Sequence, residues 1–264
     1  MSIEKAYDKN DLRVFRLNTG NINNCGELKL KSCKDSAEEL ITALRIELRR
    51  NTTLHFKNGD TISLAAMDTN TYPRNDLKIT LKVFMSSMNF DQVVDCLDTT
   101  KDQLGVDSIE QLIMSFDSVD IDEGDIDEKW LENVLSVWEK LEALMERGEI
   151  STVGVADFDL VHLKALYENA KIKPRIDHFN IAGCCTVPKD LQEYARANDI
   201  QLLTHNDPKP FITSDSLKGI CTNNAYPFCD DDYIPSWSSR YTVWVRGRSI
   251  IAAKGYMVQL EKNK

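Results

Sequence analysis

Two glycine-rich signatures are missing from this 264-residue chain: it holds no GxGxxG and no GxxxxGK(S/T), and only 11 glycines in all. A doubly wound nucleotide-binding sheet ordinarily carries such a loop after its first strand, so that architecture is disfavoured. GxSxG is absent too, which removes the usual hydrolase nucleophile turn. No run approaches the roughly 18 to 20 apolar residues of a membrane-spanning helix, and the polar start MSIEKAYDKNDLRVF does not read as a secretory leader. The histidines, at 55, 162, 178 and 205, share no metal-ligand spacing with one another or with cysteine, so no metal site is expected. Seven cysteines, an odd number in a chain of this length, read as reduced thiols, and a cytoplasmic location is expected. Bases are outnumbered, 32 against 42 acids, for a net charge of −10. Phosphate backbones and anionic membranes attract basic faces, so neither nucleic acid nor membrane is an expected partner.

What is present is an ordinary globular composition, 42% hydrophobic and 28% charged. Its length suits one α/β barrel, a single domain over 1–264. From about residue 78 strands and helices alternate. Leu77–Met85 is a strand with Ile79, Leu81 and Val83 on one face, 90–103 a helix, and 107–116 a strand. Trp130, Val134, Val137, Trp138, Leu141, Leu144 and Met145 recur at helical spacing until Gly148. Strands at 151–156, 175–182 and 200–204 alternate with helices near 160–167 and 188–197. Residues 207–239 look irregular, 241–245 is the last expected strand, and a further apolar run covers 250–258. This pattern, without a glycine-rich turn, predicts a (β/α)8 barrel rather than an open doubly wound sheet.

In the first 77 residues, 17–22 looks like a hairpin, and Ser36-Ala-Glu-Glu39 opens a helix through about Arg50 as a capping box. Asn58-Gly59 marks a turn between two strand-like pieces. Two charge features stand out. Residues 117–128 hold seven acids and no base, and residues 240–264 hold six bases against Glu261. Each is either a solvated face or an interaction surface.

The stretch from Leu141 to Asp159, with Glu149-Ile-Ser-Thr-Val-Gly-Val-Ala-Asp-Phe158 at its centre, resembles the aldo-keto reductase family, as does Ile172-Lys-Pro-Arg-Ile-Asp-His178. The resemblance implies an aldo-keto reductase barrel, modified and truncated at its cofactor-gripping end. That family works with an Asp, Tyr, Lys and His set beside a nicotinamide. Here Lys82 falls on the lysine position, but Ser115 stands where the histidine belongs. Ala156-Asp157 replaces the nicotinamide-holding Ser-Asn pair, and His178 replaces the carboxamide-contacting Gln. No Asp-x4-Tyr element is found; Asp68 and Tyr72 have one residue too few between them. Lys82, Ser115, Asp157 and His178 are therefore expected to line a vestigial pocket, with no catalytic set and no cofactor.

Leu202-Leu-Thr-His-Asn-Asp-Pro-Lys209, Ile181-Ala-Gly-Cys-Cys185 and the run from Ile234 to Met257 are similar to the regulatory (modifier) subunits of glutamate–cysteine ligase. This resemblance implies a non-catalytic protein in the first step of glutathione synthesis. Such a protein forms a heterodimer with the catalytic subunit, raises apparent glutamate affinity and relaxes glutathione feedback inhibition. The expected partner surface is 205–257, with His205, Asn206, Asp207, Trp237, Arg240, Arg246 and Lys254 as candidate contacts. Cys25, Cys33 and Cys184 are candidates for an intersubunit disulfide. The alternatives are an NADPH-dependent reductase with an atypical tetrad, or a vestigial nucleotide-sensing barrel.

Overall fold

The computed structural model describes residues 13–50, 56–57, 61–64, 72–116, 126–182, 186–220 and 233–263. The chain begins with strand β1 (Val14–Asn18), a 3₁₀ turn at Ile22–Asn24, and helices α1 (Gly26–Lys29) and α2 (Ser36–Arg50). The short strands β2 (Phe56–Lys57) and β3 (Thr61–Ser63) pair antiparallel, as the Asn58-Gly59 signal predicts. The expected hairpin at 17–22 does not form. Instead β1 pairs parallel to β3, and the chain leaves it through Gly20 at φ 67°.

Strand and helix then alternate: β4 (Leu77–Met85), α3 (Phe90–Leu104), β5 (Ile109–Phe116), α4 (Glu128–Glu146), β6 (Ile150–Ala156), α5 (Leu160–Asn169), β7 (Ile176–Asn180), α6 (Lys189–Ala197) and β8 (Gln201–His205). A short helix, α7 (Ser214–Lys218), precedes two 13-residue strands, β9 (Tyr233–Val245) and β10 (Ile250–Lys262). The ten strands form one sheet in the order β2-β3-β1-β10-β9-β4-β5-β6-β7-β8. Strands β4 to β8 are parallel, whereas β9 runs antiparallel to β4, β10 to β9 and β1 to β10. This is the α/β barrel-type architecture expected, in modified form: beyond β8 a long antiparallel hairpin takes the place of further β/α units.

The period-2 alternation of β4 sorts its two faces. Leu77, Ile79, Leu81 and Val83 join the core under α3, α4 and α5, while Lys78, Thr80 and Lys82 point to the other, concave face. Helix α4 buries Trp130, Val134, Val137, Trp138, Leu141 and Leu144 in that core. At about 1.5–3 kcal/mol per large apolar side chain, this burial far outweighs the tenths contributed by surface ion pairs. Asn89, Asp127 and Asp159 cap α3, α4 and α5 by accepting first-turn amides. A second core, with Phe15, Leu40, Leu44, Phe211, Tyr256 and Leu260, packs α2 against β1 and β10. Among the described residues, no helix is long and apolar enough to cross a membrane.

The acidic run 117–128 lies outside the described residues up to position 125. Its last members, Asp127 and Glu128, cap and open α4.

Candidate functional site

Four strand spacings separate β4 from β8, about 19 Å across a flat sheet. Yet Lys82 Nζ, on β4, donates to Asp207 Oδ2, just past β8, at 2.8 Å. The sheet curls until its parallel part faces itself, and polar side chains of its concave face meet near the carboxyl ends of the strands. Asp207 is the hub of this cluster. Arg240 Nη1, from β9, donates to Asp207 Oδ1 at 2.8 Å and to Ser36 Oγ of α2 at 2.8 Å. The Ser36 hydroxyl donates to the same carboxylate. Asn180 Nδ2 donates to the Asp207 backbone carbonyl at 2.9 Å.

His205 links this hub to a second carboxylate. Its Nδ1 accepts from the Asp207 backbone amide at 3.0 Å and stands 3.1 Å from Asp207 Oδ2. Nε2 faces Asp157 Oδ1 at 3.1 Å, a charge contact rather than an aligned hydrogen bond. Ser115 Oγ donates to Asp157 Oδ2 at 3.1 Å, and Lys209 Nζ lies 3.6 Å from the same oxygen. Asp157 follows β6 at φ 65°, in the left-handed region that Asp and Asn tolerate best after glycine, and this turns its carboxylate toward Ser115 and His205. The His178 ring lies 4.4 Å from that of His205, centre to centre and tilted by 55°, and its Nε2 donates to the Thr204 carbonyl at 3.0 Å.

Burial opposes every charge here, and neighbours decide which survive. Burial pushes the Lys82 amine down to about 8 although Asp207 pulls it up, so the amine is still cationic at neutral pH. Burial raises the Asp207 carboxyl, but His205, Arg240 and Lys82 outweigh it and hold the group far below the usual carboxylate range. Asp157 is likewise raised by burial and then brought to about 2 by His205 and Lys209. Burial, followed by the charges of Lys82 and His205, lowers His178 to about 3, which keeps its ring neutral.

A satellite cluster joins on the same face. Lys82, Arg240 and Tyr256 share one row across β4, β9 and β10. The Tyr256 hydroxyl donates to Glu39 of α2, which also pairs with Lys254. Ser36 and Glu39 are free to reach these groups because neither makes the cap that the sequence predicts for them. Asp35 caps the helix by accepting from the Glu38 amide at 2.8 Å, and Glu38 Oε2 accepts from the Lys34 amide at 2.8 Å. The reciprocal box is thus shifted by one residue from Ser36–Glu39.

The residues expected to line a vestigial pocket and several expected to meet a partner turn out to be neighbours. Lys82, Ser115, Asp157 and His178 adjoin His205, Asp207 and Arg240 in one network. The structure divides the seven partner candidates. His205 and Asp207 are buried at 8% and 2% exposure, and Trp237 at 1%, with its indole N–H donating to Asp95 Oδ2 at 2.9 Å. Arg240 is anchored on Asp207 and Ser36. These four are held inside the fold, His205, Asp207 and Arg240 by one another and Trp237 by Asp95. Asn206, Arg246 and part of Lys254 reach the surface. Arg246 there pairs with Glu110 at 2.7 Å and donates to the Leu77 carbonyl at 2.9 Å. Among the disulfide candidates, Cys25 is buried and Cys33 half-buried as free thiols, while Cys184 lies outside the described residues. Ser36, Glu39, Asn180 and Tyr256 were missed as site residues. Strand register alone brings Tyr256 beside Arg240, and no local motif marks it.

The aldo/keto reductase family model matches residues 58–206. Over 260 residues the chain is 32% identical to the glutamate–cysteine ligase regulatory subunit of Homo sapiens, covering 95% of this chain and 93% of that one. The putative glutamate–cysteine ligase regulatory subunit of Schizosaccharomyces pombe is 28% identical over 144 residues, 54% of this chain and 48% of that one. Glyoxal reductase of Bacillus subtilis is 22% identical over 178 residues, 67% and 59% of the two chains. On this evidence the chain belongs to the aldo/keto reductase family and, within it, to the glutamate–cysteine ligase regulatory subunits.

Proposed function

We propose that the chain acts as a non-catalytic regulator that binds the catalytic subunit of glutamate–cysteine ligase. In this role it raises apparent glutamate affinity and relaxes feedback inhibition by glutathione. The observation that carries the reading is the near full-length likeness to the regulatory subunits, set against partial likeness to a reductase. A regulator of this kind acts by binding one conformation of its partner better than another, and about 1–3 kcal/mol of difference gives a 5- to 150-fold effect.

The same reading takes the chain's own reductase chemistry as lost, and the polar cluster supports that. A nicotinamide carboxamide needs hydrogen-bond donors for its oxygen, but Asp157 is an ionised acceptor and Ser115 spends its proton on it. The Lys82 amine, 2% exposed, is committed to Asp207 rather than to tuning a hydroxyl. The Tyr256 hydroxyl on the same face is bonded to Glu39, and burial holds its proton well above the ordinary phenol range. These residues do not fit a hydride-transfer site. One positioned proton donor is typically worth 10²- to 10⁴-fold in rate, so its loss leaves little turnover.

The exposed end of the β9–β10 hairpin is the part of 205–257 best suited to a partner. Ile250 and Ile251 are 45% and 38% exposed there, beside the surface bases Arg246 and Arg248. Co-purification with the catalytic subunit, followed by glutamate titration with and without this chain, tests the role. A stable complex and a lowered apparent KM are expected; no complex and an unchanged KM would overturn it. NADPH-dependent reduction of a carbonyl by the isolated chain would overturn the loss of catalysis.

A further inference from the structure

A closed barrel has no sheet edge, because every strand is paired on both sides. Here the curled sheet stops at β8, and among the described residues no strand pairs with its outer side. The register with β7 fixes which backbone groups that side presents. Gln201 donates to the Arg175 carbonyl at 2.8 Å, and the His205 carbonyl accepts from Ile181 at 2.8 Å. Residues 201, 203 and 205 therefore spend their backbone groups on the β7 side, and by alternation Leu202 and Thr204 turn theirs outward. The Thr204 carbonyl accepts from His178 Nε2, which leaves the Thr204 N–H and both backbone groups of Leu202 for the open side. Natural edges are ordinarily blunted by lysine, proline or a bulge. Gln201-Leu-Leu-Thr-His205 has neither residue and pairs with β7 without a register shift. Gln201 and Thr204 are exposed, and Leu202 and Leu203 half-buried.

This edge borders a groove of about 450 Å³ on the concave face. Gln201, Leu203 and Thr204 line one side, and Lys78, Thr242 and Trp244 stand across from them. Lys78, Trp244 and Ile251 share one row across β4, β9 and β10, with Trp244 and Ile251 exposed at 37% and 38%. The groove is thus continuous with the apolar tip of the hairpin, and Lys78 supplies a cation beside it.

We propose that the outer edge of β8 takes up an extended segment of the ligase's catalytic subunit as an added strand, with apolar side chains against Trp244 and Leu203 and a carboxylate toward Lys78. This inference rests on the chain's regulatory role. In strand addition, backbone hydrogen bonds give affinity and the pockets for alternate side chains give specificity. A second copy of this chain suits the edge less, because two molecules of net charge −10 repel each other.

The test binds the full chain to the catalytic subunit by calorimetry and reads amide hydrogen exchange residue by residue. The Leu202 and Thr204 amides should exchange at least about tenfold more slowly in the complex than in the free chain. Those of Leu203 and His205, already bonded to β7, should change less. Thr204→Pro removes an outward donor, spares the β7 ladder and should weaken the complex at least about tenfold. Thr204→Val keeps the donor and should bind as the wild type does. Melting curves check that both fold, and the exchange data on the wild type decide even where the proline variant does not. Lys78→Glu should weaken binding several-fold, and indifference to it would overturn the acidic character of the segment. Unchanged exchange at Leu202 and Thr204 in a formed complex, or wild-type affinity of folded Thr204→Pro, would overturn the added strand and leave the regulatory role standing. Failure of the wild type to form a complex would overturn both. Slow exchange at the two amides in the isolated chain, with a dimer's mass by light scattering, would give the edge to a second copy instead.

Discussion

Asp177 lies on β7 at 0% exposure, and neither of its carboxyl oxygens meets a partner in good hydrogen-bond geometry among the described residues. Burial, reinforced by the charge of Asp157, raises its pKa well above the ordinary value. The folded chain therefore holds a proton that the unfolded chain releases above about pH 4. Stability from this group is fully present below that pH and is lost as pH rises toward the folded pKa, by up to about 1.4 kcal/mol per pH unit. Asp157 works in the other direction: its pKa is lowered to about 2, so its contribution is present above about pH 4 and is lost as pH falls. Urea unfolding of wild type and Asp177→Asn from about pH 5 to about pH 8 separates the two groups, because only the wild type keeps the downward slope. Parallel curves would show that Asp177 is ionised in the fold. At this scale the sequence located Lys82, Ser115, Asp157 and His178, because each stands where a family motif has a different residue. It was silent on Asp177, the immediate neighbour of His178, since alternation along β7 tells nothing of what packs against either face.

Beside the β1–β10 ladder, a side-chain clamp ties the long hairpin to the turn that follows β1. The Tyr241 hydroxyl donates to the Gly20 carbonyl at 2.6 Å, and Gly255, opposite Tyr241 on β10, makes room for it. A Cβ on Gly255 would stand 2.1 Å from that hydroxyl and 2.2 Å from the Gly20 oxygen, so alanine there must displace the clamp. Gly255→Ala should cost about 2–4 kcal/mol, from overpacking and the lost bond. Tyr241→Phe, which removes this bond but leaves the Gly20 carbonyl its Thr19 hydroxyl donor at 3.1 Å, should cost about 0.5–1.5 kcal/mol. If both act through one hydroxyl, the double variant loses clearly less than the sum in denaturant unfolding; strict additivity would overturn the clamp. Elements built on local signals were legible: the antiparallel pairing of β2 with β3, the α4 stripe ending at Gly148, and β4 to β8 to within about two residues. The first half of β9 was not. Pro235 and the serines at 236, 238 and 239 read as loop, and only pairing with β4 and β10 makes that segment a strand. The whole antiparallel part shares this cause, because its register depends on partners more than 150 residues away or on the unusual length of the hairpin.

At the scale of the molecule, a group of charges meets inside the curled sheet, and two of the exposed large apolar side chains of the described residues, Ile250 and Ile251, sit together at the hairpin tip. Lys82, Arg240 and two carboxylates neutralise one another in the curled sheet, so the site most altered from a reductase offers a partner few free groups. The hairpin tip is the opposite case. Gly247 and Ser249, at φ 69° and 51°, turn the chain there and place Ile250 and Ile251 outward with Arg248 between bases and open solvent. Two adjacent exposed isoleucines at the end of a strand are costly to leave in water, whereas burial at an interface recovers a kilocalorie or more from each. If the tip meets the catalytic subunit, Ile250→Asp with Ile251→Asp should weaken the complex at least about tenfold, or roughly 1.4 kcal/mol. The fold itself should hold, since exposed substitutions usually change stability by about 0.5 kcal/mol or less. Trp237→Ala should behave in reverse, lowering the unfolding midpoint through the lost Asp95 bond and the emptied core, and lowering affinity only as far as the fold is lost. Calorimetric affinities paired with melting curves for both variants decide the matter: wild-type affinity in the isoleucine variant, with its fold intact, moves the interface away from the hairpin.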